Sequence, residues 1–531
     1  MKTEDNGPNT PEKPEHHLVA ERLRKVAELR SKGIEPYPYE FGKTHNANYL
    51  LEKYGSIAAE EKTTDVVKVA GRIVGLRKMG KASFAHLQDG TGRIQIYLRE
   101  DAVGTKVYDI LHLADVGDIV GVEGTIFKTK TGEVTILVSL FEMLCKSIRP
   151  LPEKYHGLQD IELRYRQRYV DLIMNPQVKD VFVKRSQIIK AVREFMCSKG
   201  FLEVETPLLQ TVYGGAEARP FVTHINAWNM DLYLSISPEL FLKRLIIGGY
   251  EKVYTICKNF RNEGVDKTHN PEFTMMEFYQ SYVDYHEMMR LTEQLFEYVA
   301  MKVLGKTQIE YEGKRIELKA PWKRITIKQA LIEYAQIDVD KLSDQELQSL
   351  LTGYNIEYRG EFARGLVITR LFEELCESKL IQPTFVMDYP KEASPLCKRK
   401  RGNPELIEKV EPYINGWEIG NGYSELNEPV VQRRLLEEQS KEMRAGADER
   451  HPMDADFVNA IEVGMAPTGG MGIGIDRMII LLTQQPSLRD VLPFPTMKPV
   501  ELSVEEQEAV LKNEVRQALK EHKKQRSERS A

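Results

Sequence analysis

Hydrophobic positions change their period along the chain. Leu18, Val19, Leu23, Val26 and Leu29 recur near the 3.6-residue spacing of a helix, and Gly33 supplies a stop signal. From residue 65 the helical period gives way to short runs at 66–74, 82–87, 93–98, 118–122 and 133–138. Asp89-Gly90-Thr91-Gly92 and Lys130-Thr131-Gly132 separate some of these runs, which predicts short strands in a small barrel or sandwich, with about 80 residues suiting a five-stranded barrel. Beyond Arg149-Pro150-Leu151-Pro152 a helix is expected over about 180–199, with Gly200 at its end. Strand-like and helical runs then alternate to about residue 500, including a helix over 285–304 stopped by Gly305. No internal repeat is present. The expected organisation is a disordered, Pro-rich segment at 1–17, a helical segment at 18–64, a barrel at 65–148, a linker at 149–178, a longer α+β unit at 179–500 and a charged tail at 501–531, read as a solvated helix.

Composition narrows the class. A chain of 531 residues exceeds one compact core. No stretch reaches the ~20 apolar residues of a membrane span. A net charge of -5 excludes a uniformly basic nucleic-acid coat but leaves room for a local basic patch. The five cysteines form no CxxC pair, which fits a reducing compartment. The start of the sequence has neither the apolar core of a secretory signal nor an Arg-rich transit pattern, so a cytoplasmic location is expected.

Three segments carry candidate chemistry. Strand-like runs at 252–257 and 273–279 flank a polar loop, 264–271, and read as an antiparallel pair. Strand alternation puts Arg261 and Glu263 on one face of the first strand, and Phe273, Met275, Glu277 and Tyr279 on one face of the second. If these faces coincide, a cation, a ring and two carboxylates share a surface; a solvated face with surface ion pairs is the plainer alternative. In the second segment, Asn415-Gly416 between apolar runs predicts a two-residue hairpin, pairing Ile414 with Trp417 and Tyr413 with Glu418. Glu411 and Glu418 become diagonal neighbours, roughly 7 Å apart at the backbone. Such a carboxylate pair suits a hard divalent cation such as Mg2+, and two solvated glutamates on an exposed hairpin are the plainer alternative. In the third, the glycines of Thr468-Gly469-Gly470-Met471-Gly472-Ile473-Gly474 run into Ile475-Asp476-Arg477 and an apolar helix. This is either a phosphate-facing turn or tight strand–helix packing. It lacks the Gly-Lys-Ser/Thr of a P-loop.

Together these segments resemble the signature motifs of class II aminoacyl-tRNA synthetases. Arg261-Asn262-Glu263 through Glu277 resembles motif 2, and Gly472-Ile473-Gly474-Ile475-Asp476-Arg477 resembles motif 3. The helix leading to Gly200-Phe201-Leu202-Glu203-Val204-Glu205-Thr206-Pro207 resembles motif 1. A barrel ahead of such a unit is the subclass IIb arrangement. Gly214-Gly215-Ala216, Ser237-Pro238-Glu239-Leu240, His269-Asn270-Pro271-Glu272-Phe273 and Gly420-Asn421-Gly422-Tyr423-Ser424-Glu425 are similar to the bacterial-type lysyl branch of that family. The resemblance covers residues from about 18 to 500.

The resemblance implies an N-terminal five-stranded OB barrel, followed by an antiparallel-sheet catalytic domain. It implies L-lysine, ATP and tRNA(Lys) as substrates, Mg2+ as metal, and a homodimer through the motif 1 region. Arg261 and Arg477 are the implied catalytic residues. With them, Glu263, His269, Asn270, Phe273, Glu418, Gly474 and Asp476 are implied to bind ATP. Gly215 and Glu239 would hold the α-amine of lysine, and Glu277, Tyr279 and Glu425 its ε-ammonium, with Asn421 close by. Glu411 and Glu418 would hold the metal. Arg77, Phe84, Gln95 and Glu133 would meet the anticodon, although Phe84 alone also reads as a barrel core residue. The rival readings are a lysine ligase acting on a protein acceptor and a non-catalytic synthetase-like nucleic-acid binder. Glu217, beside the matched loop, has no physical account from sequence.

Overall fold

A computed structural model describes residues 14–152, 158, 160–358, 361–444 and 452–499, and divides into two compact units. The expected disordered start lies outside the described residues as far as residue 13, and the charged tail at 501–531 lies wholly outside them. Residues 14–17, also expected to be disordered, belong to the first helix.

In the first unit, helices α1 (Pro14–Ser31) and α2 (Ala47–Tyr54) precede strands β1 (Lys62–Met79), β2 (Ala82–Gln88) and β3 (Arg93–Arg99). Helix α3 (Thr105–Leu113) leads to β4 (Ile119–Lys128) and β5 (Val134–Cys145). The strands close into a five-stranded barrel in the order β1-β2-β3-β5-β4. Alternation decides its interior. Ala85 and Leu87 of β2 and Ile94, Ile96 and Leu98 of β3 point inward and are buried with Val120, Val122 and Ile136.

The second unit opens with an unexpected feature. Residues 160–174, read from sequence as linker, form the helices Ile161–Arg166 and Arg168–Met174. Arg168 is buried there, its Nη1 2.7 Å from Asp171. Charge and proline nearby gave the segment the look of a linker, but the charge is paired internally. Helix α4 (Pro176–Ser198) follows, with proline at its first turn. Its Ile188, Ala191, Val192, Phe195 and Met196 recur at helical spacing and are buried.

The remaining labelled elements are β6 (Leu202–Glu203), α5 (Glu239–Ile247), β7 (Lys252–Phe260), β8 (Glu272–Ser281), α6 (Tyr285–Leu304), β9 (Lys323–Thr326), β10 (Thr384–Pro390), β11 (Asn403–Ile414), β12 (Gly420–Ser424), β13 (Thr468–Gly474) and α7 (Ile475–Thr483). They build a sheet in the order β9-β10-β11-β12-β13-β8-β7-β6. Its six inner strands are antiparallel to their neighbours, while β9 and β6 join parallel at the two edges.

One face of this sheet is apolar and covered. Met276 and Phe278 of β8, Met471 and Ile473 of β13, and Val410 and Ile414 of β11 form one core with residues of α4, α6 and α7. The alternate residues necessarily point the other way, and those residues make the site. In the barrel, Ile96 is fully buried. Ile96→Ala is expected to destabilise the first unit by about 2–5 kcal/mol, read as a lower urea midpoint for its unfolding.

Candidate active site

The site is the face of the sheet opposite α4, α6 and α7, and strand register brings its members together. Antiparallel β7 and β8 pair Asn259 with Phe273 and Thr255 with Glu277. On the next strand Gly472 pairs with Glu277 and Gly470 with Tyr279. Beyond it Asn421 pairs with Gly472 and Tyr423 with Gly470, and Lys409 pairs with Tyr423. Residues directly opposite share a face. Thus Phe273, Glu277, Tyr279, Asn421, Lys409 and Glu411 project to one side.

The glycines of β13 alternate with its apolar residues for the same reason. A Cβ on Gly472 would sit 3.5 Å from Glu277 and 3.7 Å from Asn421. A Cβ on Gly470 would overlap a carboxylate oxygen of Glu425 and the ring of Tyr279. The glycines leave room for side chains from the flanking strands and from the segment after β12.

Glu277 and Glu425 lie in one pocket with Glu239. Ser237 Oγ donates to Glu277 Oε1 at 2.8 Å, and Tyr279 Oη donates to Glu277 Oε2 at 2.9 Å. Glu239 stands at the start of α5, where Gly215 meets it: a Cβ on Gly215 would lie 3.0 Å from that of Glu239 and 3.0 Å from Ser237 Oγ. Gly215 has φ +87°, a conformation that favours glycine. Burial, then the charge of Glu239, raises the carboxyl of Glu277 above its ordinary range. Burial also raises Glu425; Lys243 opposes this, and Glu239 and Glu277 add to it. The pocket therefore holds more carboxylate than cation, and a protein-free cation entering it would release that strain.

Arg261 lies between this pocket and a second acidic group. Its backbone N–H donates to Pro271 at 2.9 Å, extending the β7–β8 pairing one step past the strand. Its guanidinium carbon sits 5.1 Å from the Phe273 ring centroid, and its buried Nε has no hydrogen-bond partner among the described residues. The charge of Arg261 lowers the proton affinity of both Glu277 and Glu418. Glu263 behaves differently from its expected place on the strand face. The strand ends at Phe260, and Glu263 is exposed in the loop, because alternation stops with the ladder.

The second acidic group contains Glu411 and Glu418. Tyr413 pairs with Glu418 and Ile414 with Trp417, as the Asn-Gly turn predicts, with φ +56° at Asn415 and +74° at Gly416. Burial pushes Glu411 up, but Lys409 and the hydroxyls of Tyr389 and Tyr413 outweigh it and keep it ionised. Lys409 Nζ lies 2.8 Å from Glu411 Oε1, and Tyr389 and Tyr413 donate to Oε2 at 2.6 and 2.7 Å. Burial and then Glu411 raise Glu418. No donor among the described residues hydrogen-bonds its carboxylate. A hard divalent ion fits this donor set: one anchored carboxylate and one without a donor among the described residues.

Arg477, in the first turn of α7, donates to the backbone oxygen of Glu418, and its Nη2 lies 3.5 Å from His269 Nε2. His269 is exposed and held by Asp266, while buried Asn270 donates to Glu272 O at 2.5 Å. Gly474 precedes the helix, and its N–H donates to Ile419 O at 2.9 Å. Asp476 is committed elsewhere: it accepts from the Thr274 N–H at 2.7 Å and is 2.6 Å from Arg185 Nη1, so it braces β8 and α7 against α4. Glu217 is exposed. Sequence reasoning missed Lys243 and Lys409, although the four-residue spacing from Glu239 and the two-residue spacing to Glu411 were both visible.

The barrel carries a separate candidate face. Register places Arg77 opposite Phe84, Phe84 opposite Tyr97 and His86 opposite Gln95. Phe84 is half-buried and points outward, which excludes the core reading. Its ring stacks on Tyr97 with centroids 4.5 Å apart. Beside it Gln95 Nε2 donates to Glu133 Oε2 at 2.8 Å, Thr135 donates to Gln95 Oε1 at 2.9 Å, and His86 Nε2 lies 2.9 Å from Glu133. Aromatic rings flanked by donors and acceptors on a barrel surface suit an unstacked nucleic-acid base.

An antiparallel sheet with this acidic, arginine-bearing face, together with a barrel of this kind, defines a class II synthetase architecture. Residues 160–498 match the family described as tRNA synthetases class II (D, K and N), and residues 67–148 match the OB-fold nucleic acid binding domain. The chain belongs to the class II tRNA synthetase family. It is 53% identical over 489 residues to a lysine–tRNA ligase of Pelotomaculum thermopropionicum, covering 92% of this chain and 96% of that one. It is 53% identical over 486 residues to one from Thermoanaerobacter pseudethanolicus, covering 91% and 96%. A lysine–tRNA ligase of Clostridium botulinum is 50% identical over 504 residues, covering 94% and 99%.

The crowding above Gly470 gives a direct test of the geometry. Gly470→Ala is expected to displace the Glu425 carboxylate and to destabilise the second unit by about 1–3 kcal/mol, checked by a crystal structure of the variant and by calorimetry.

Proposed function

We propose that this chain is a lysine–tRNA ligase that activates L-lysine with ATP and transfers it to the 3′ end of tRNA(Lys). The observation that carries the reading is the pocket of Glu239, Glu277 and Glu425, which is short of cations and lies beside an arginine and a second carboxylate pair. A substrate with two ammonium groups answers that imbalance. Neutral amino acids would leave carboxylates unpaired and buried, which rejects them strongly. The identity to lysine–tRNA ligases over nine-tenths of the chain supports the same substrate.

The chemistry assigned to the chain is positioning and charge compensation. Glu239 and Gly215 receive the α-amine; Glu277, Tyr279 and Glu425 receive the ε-ammonium, with Asn421 alongside. Arg261 holds the substrate carboxylate against the α-phosphate, where a planar fork serves two oxygens at once. The carboxylate oxygen attacks the α-phosphorus and pyrophosphate leaves; a hydroxyl of the terminal ribose then takes the acyl group from the aminoacyl-adenylate, releasing AMP. Phe273 stacks the adenine, with Arg477 on the far side of the nucleotide near His269. Glu263, Asn270 and Gly474 line the nucleotide site, and Asp476 contributes by bracing its walls. Glu411 and Glu418 would hold Mg2+, which supplies neutralisation of the triphosphate charge.

The barrel face reads the anticodon through Phe84, with Arg77, Gln95 and Glu133 as its polar partners. A homodimer forms through the region around Pro207, where Leu202, Leu208, Leu209 and Val222 leave apolar surface exposed. No helix among the described residues is long and apolar enough to cross a membrane, and the reading is of a cytoplasmic enzyme.

Lysine-dependent ATP–pyrophosphate exchange tests the central claim. Glu277→Gln is expected to weaken lysine activation by about 2–5 kcal/mol through loss of a buried charge partner. Wild-type exchange in that variant would remove the assignment of Glu277. Phe84→Ala is expected to raise the KM for tRNA in aminoacylation and to leave exchange unchanged; equal damage to both steps would point to a folding role.

A further inference from the structure

Lys243 is a fully buried lysine inside the substrate pocket, and the reaction as described does not use it. It lies one turn after Glu239 on α5, with its side chain fully shielded from solvent. Its Nζ is 2.5 Å from Glu239 Oε1 and 2.5 Å from Glu425 Oε2. Those carboxylates come from separate parts of the chain: Glu239 opens a helix, and Glu425 follows β12. Nothing in the backbone ties one to the other. Each is almost fully buried, so each needs a counter-charge when the pocket is empty.

The groups around Lys243 define what it can do. Glu239, Glu425 and Cys397 interact with Lys243 directly, and Glu277, Tyr279 and Tyr423 surround Glu239. Three carboxyls and one resident ammonium leave the pocket short of positive charge. More than charge is fixed. Because one ammonium grips an oxygen of Glu239 and an oxygen of Glu425, it sets how far apart the two carboxylates stand.

We infer that Lys243 is a specificity-determining positioning residue: it clamps Glu239 to Glu425 and so sets the spacing between the α- and ω-ammonium groups that the pocket accepts. The inference rests on the proposed lysine reading, in which Glu239 receives the α-amine and Glu425 the ε-ammonium. The ligand class is the α,ω-diamino acids, and the discrimination is by chain length, between lysine and its one-methylene-shorter homologue ornithine. A site that measures length by packing alone separates homologues differing by one methylene about 10–200-fold, so a loosened clamp has a measurable ratio to lose.

The test is ATP–pyrophosphate exchange by the full chain, with lysine and with ornithine as substrate, for the unaltered protein, Lys243→Met and Lys243→Arg. Lys243→Met keeps the volume and removes the charge. It is expected to raise the KM for lysine about tenfold with the KM for ATP within about twofold, and to lower the lysine-to-ornithine ratio of kcat/KM about tenfold. Lys243→Arg keeps the charge on a larger head that spreads the two carboxylates. It is expected to retain lysine-dependent exchange and to shift the same ratio at least about threefold. Melting temperatures of each variant separate a folding defect from a change in selectivity. If Lys243→Met does not fold, the ratio in Lys243→Arg decides. An unchanged lysine-to-ornithine ratio in the folded variants overturns the inference. Absence of lysine-dependent exchange in the unaltered chain removes the lysine reading itself, whatever Lys243 does.

Discussion

Carboxylates buried in excess of protein cations are the interaction on which the second unit depends. Glu239, Glu277 and Glu425 share a pocket with a single lysine, and Glu411 and Glu418 lie with Glu377 beside Lys409 and Arg477. Burial raises Glu277, Glu418 and Glu425 toward the protonated form. They are tolerated because the surrounding structure is rigid: hydroxyls of Ser237, Tyr279, Tyr389 and Tyr413 supply donors, and the sheet fixes where every side chain emerges. The fold keeps these groups short of positive charge, which is the imbalance that the proposed lysine and Mg2+ would answer.

The sheet achieves this through period-two alternation on neighbouring strands. Met276, Phe278, Met471 and Ile473 anchor the strands to α4, α6 and α7, which fixes the register of Glu277, Tyr279 and the facing glycines. A one-residue slip of β8 would bury Glu277 against helices and expose Met276. Core and site are therefore specified by the same hydrogen bonds. Arg261 benefits as well, since one further backbone bond past the end of β7 places its guanidinium over Phe273 and between the two acidic groups.

Much of this was legible in the sequence where local rules decide. The Asn415-Gly416 turn fixed the pairing of Tyr413 with Glu418, because turn chemistry and register are linked within a few residues. The barrel strands and helix 285–304 followed from period and glycine stops. Local rules failed where an element ends or where charge is buried. Glu263 was placed on a strand face because no pattern marks the last ladder bond at Phe260. Residues 160–174 looked like linker because Arg168 reads as a surface residue, whereas in the fold its charge is matched by Asp171. Lys243 and Lys409 escaped notice for the same reason: a lysine in sequence is assumed to be wet, and only tertiary structure shows the carboxylates that keep it dry. Bringing Glu239, Glu277 and Glu425 into one pocket required the family resemblance, since these residues are separated by long stretches of chain.

The pair of rings on the barrel surface has a consequence for how a nucleic-acid strand is met. Phe84 already leans on Tyr97, so its orientation is set before any base arrives. In the proposed anticodon reading, an incoming base would extend an existing pile of rings by one layer and would not need to recruit a swinging side chain. On that proposal the surface would act as a fixed platform: docking would lose little rotamer freedom on the protein side, and most of the ordering would fall on the loop of the RNA.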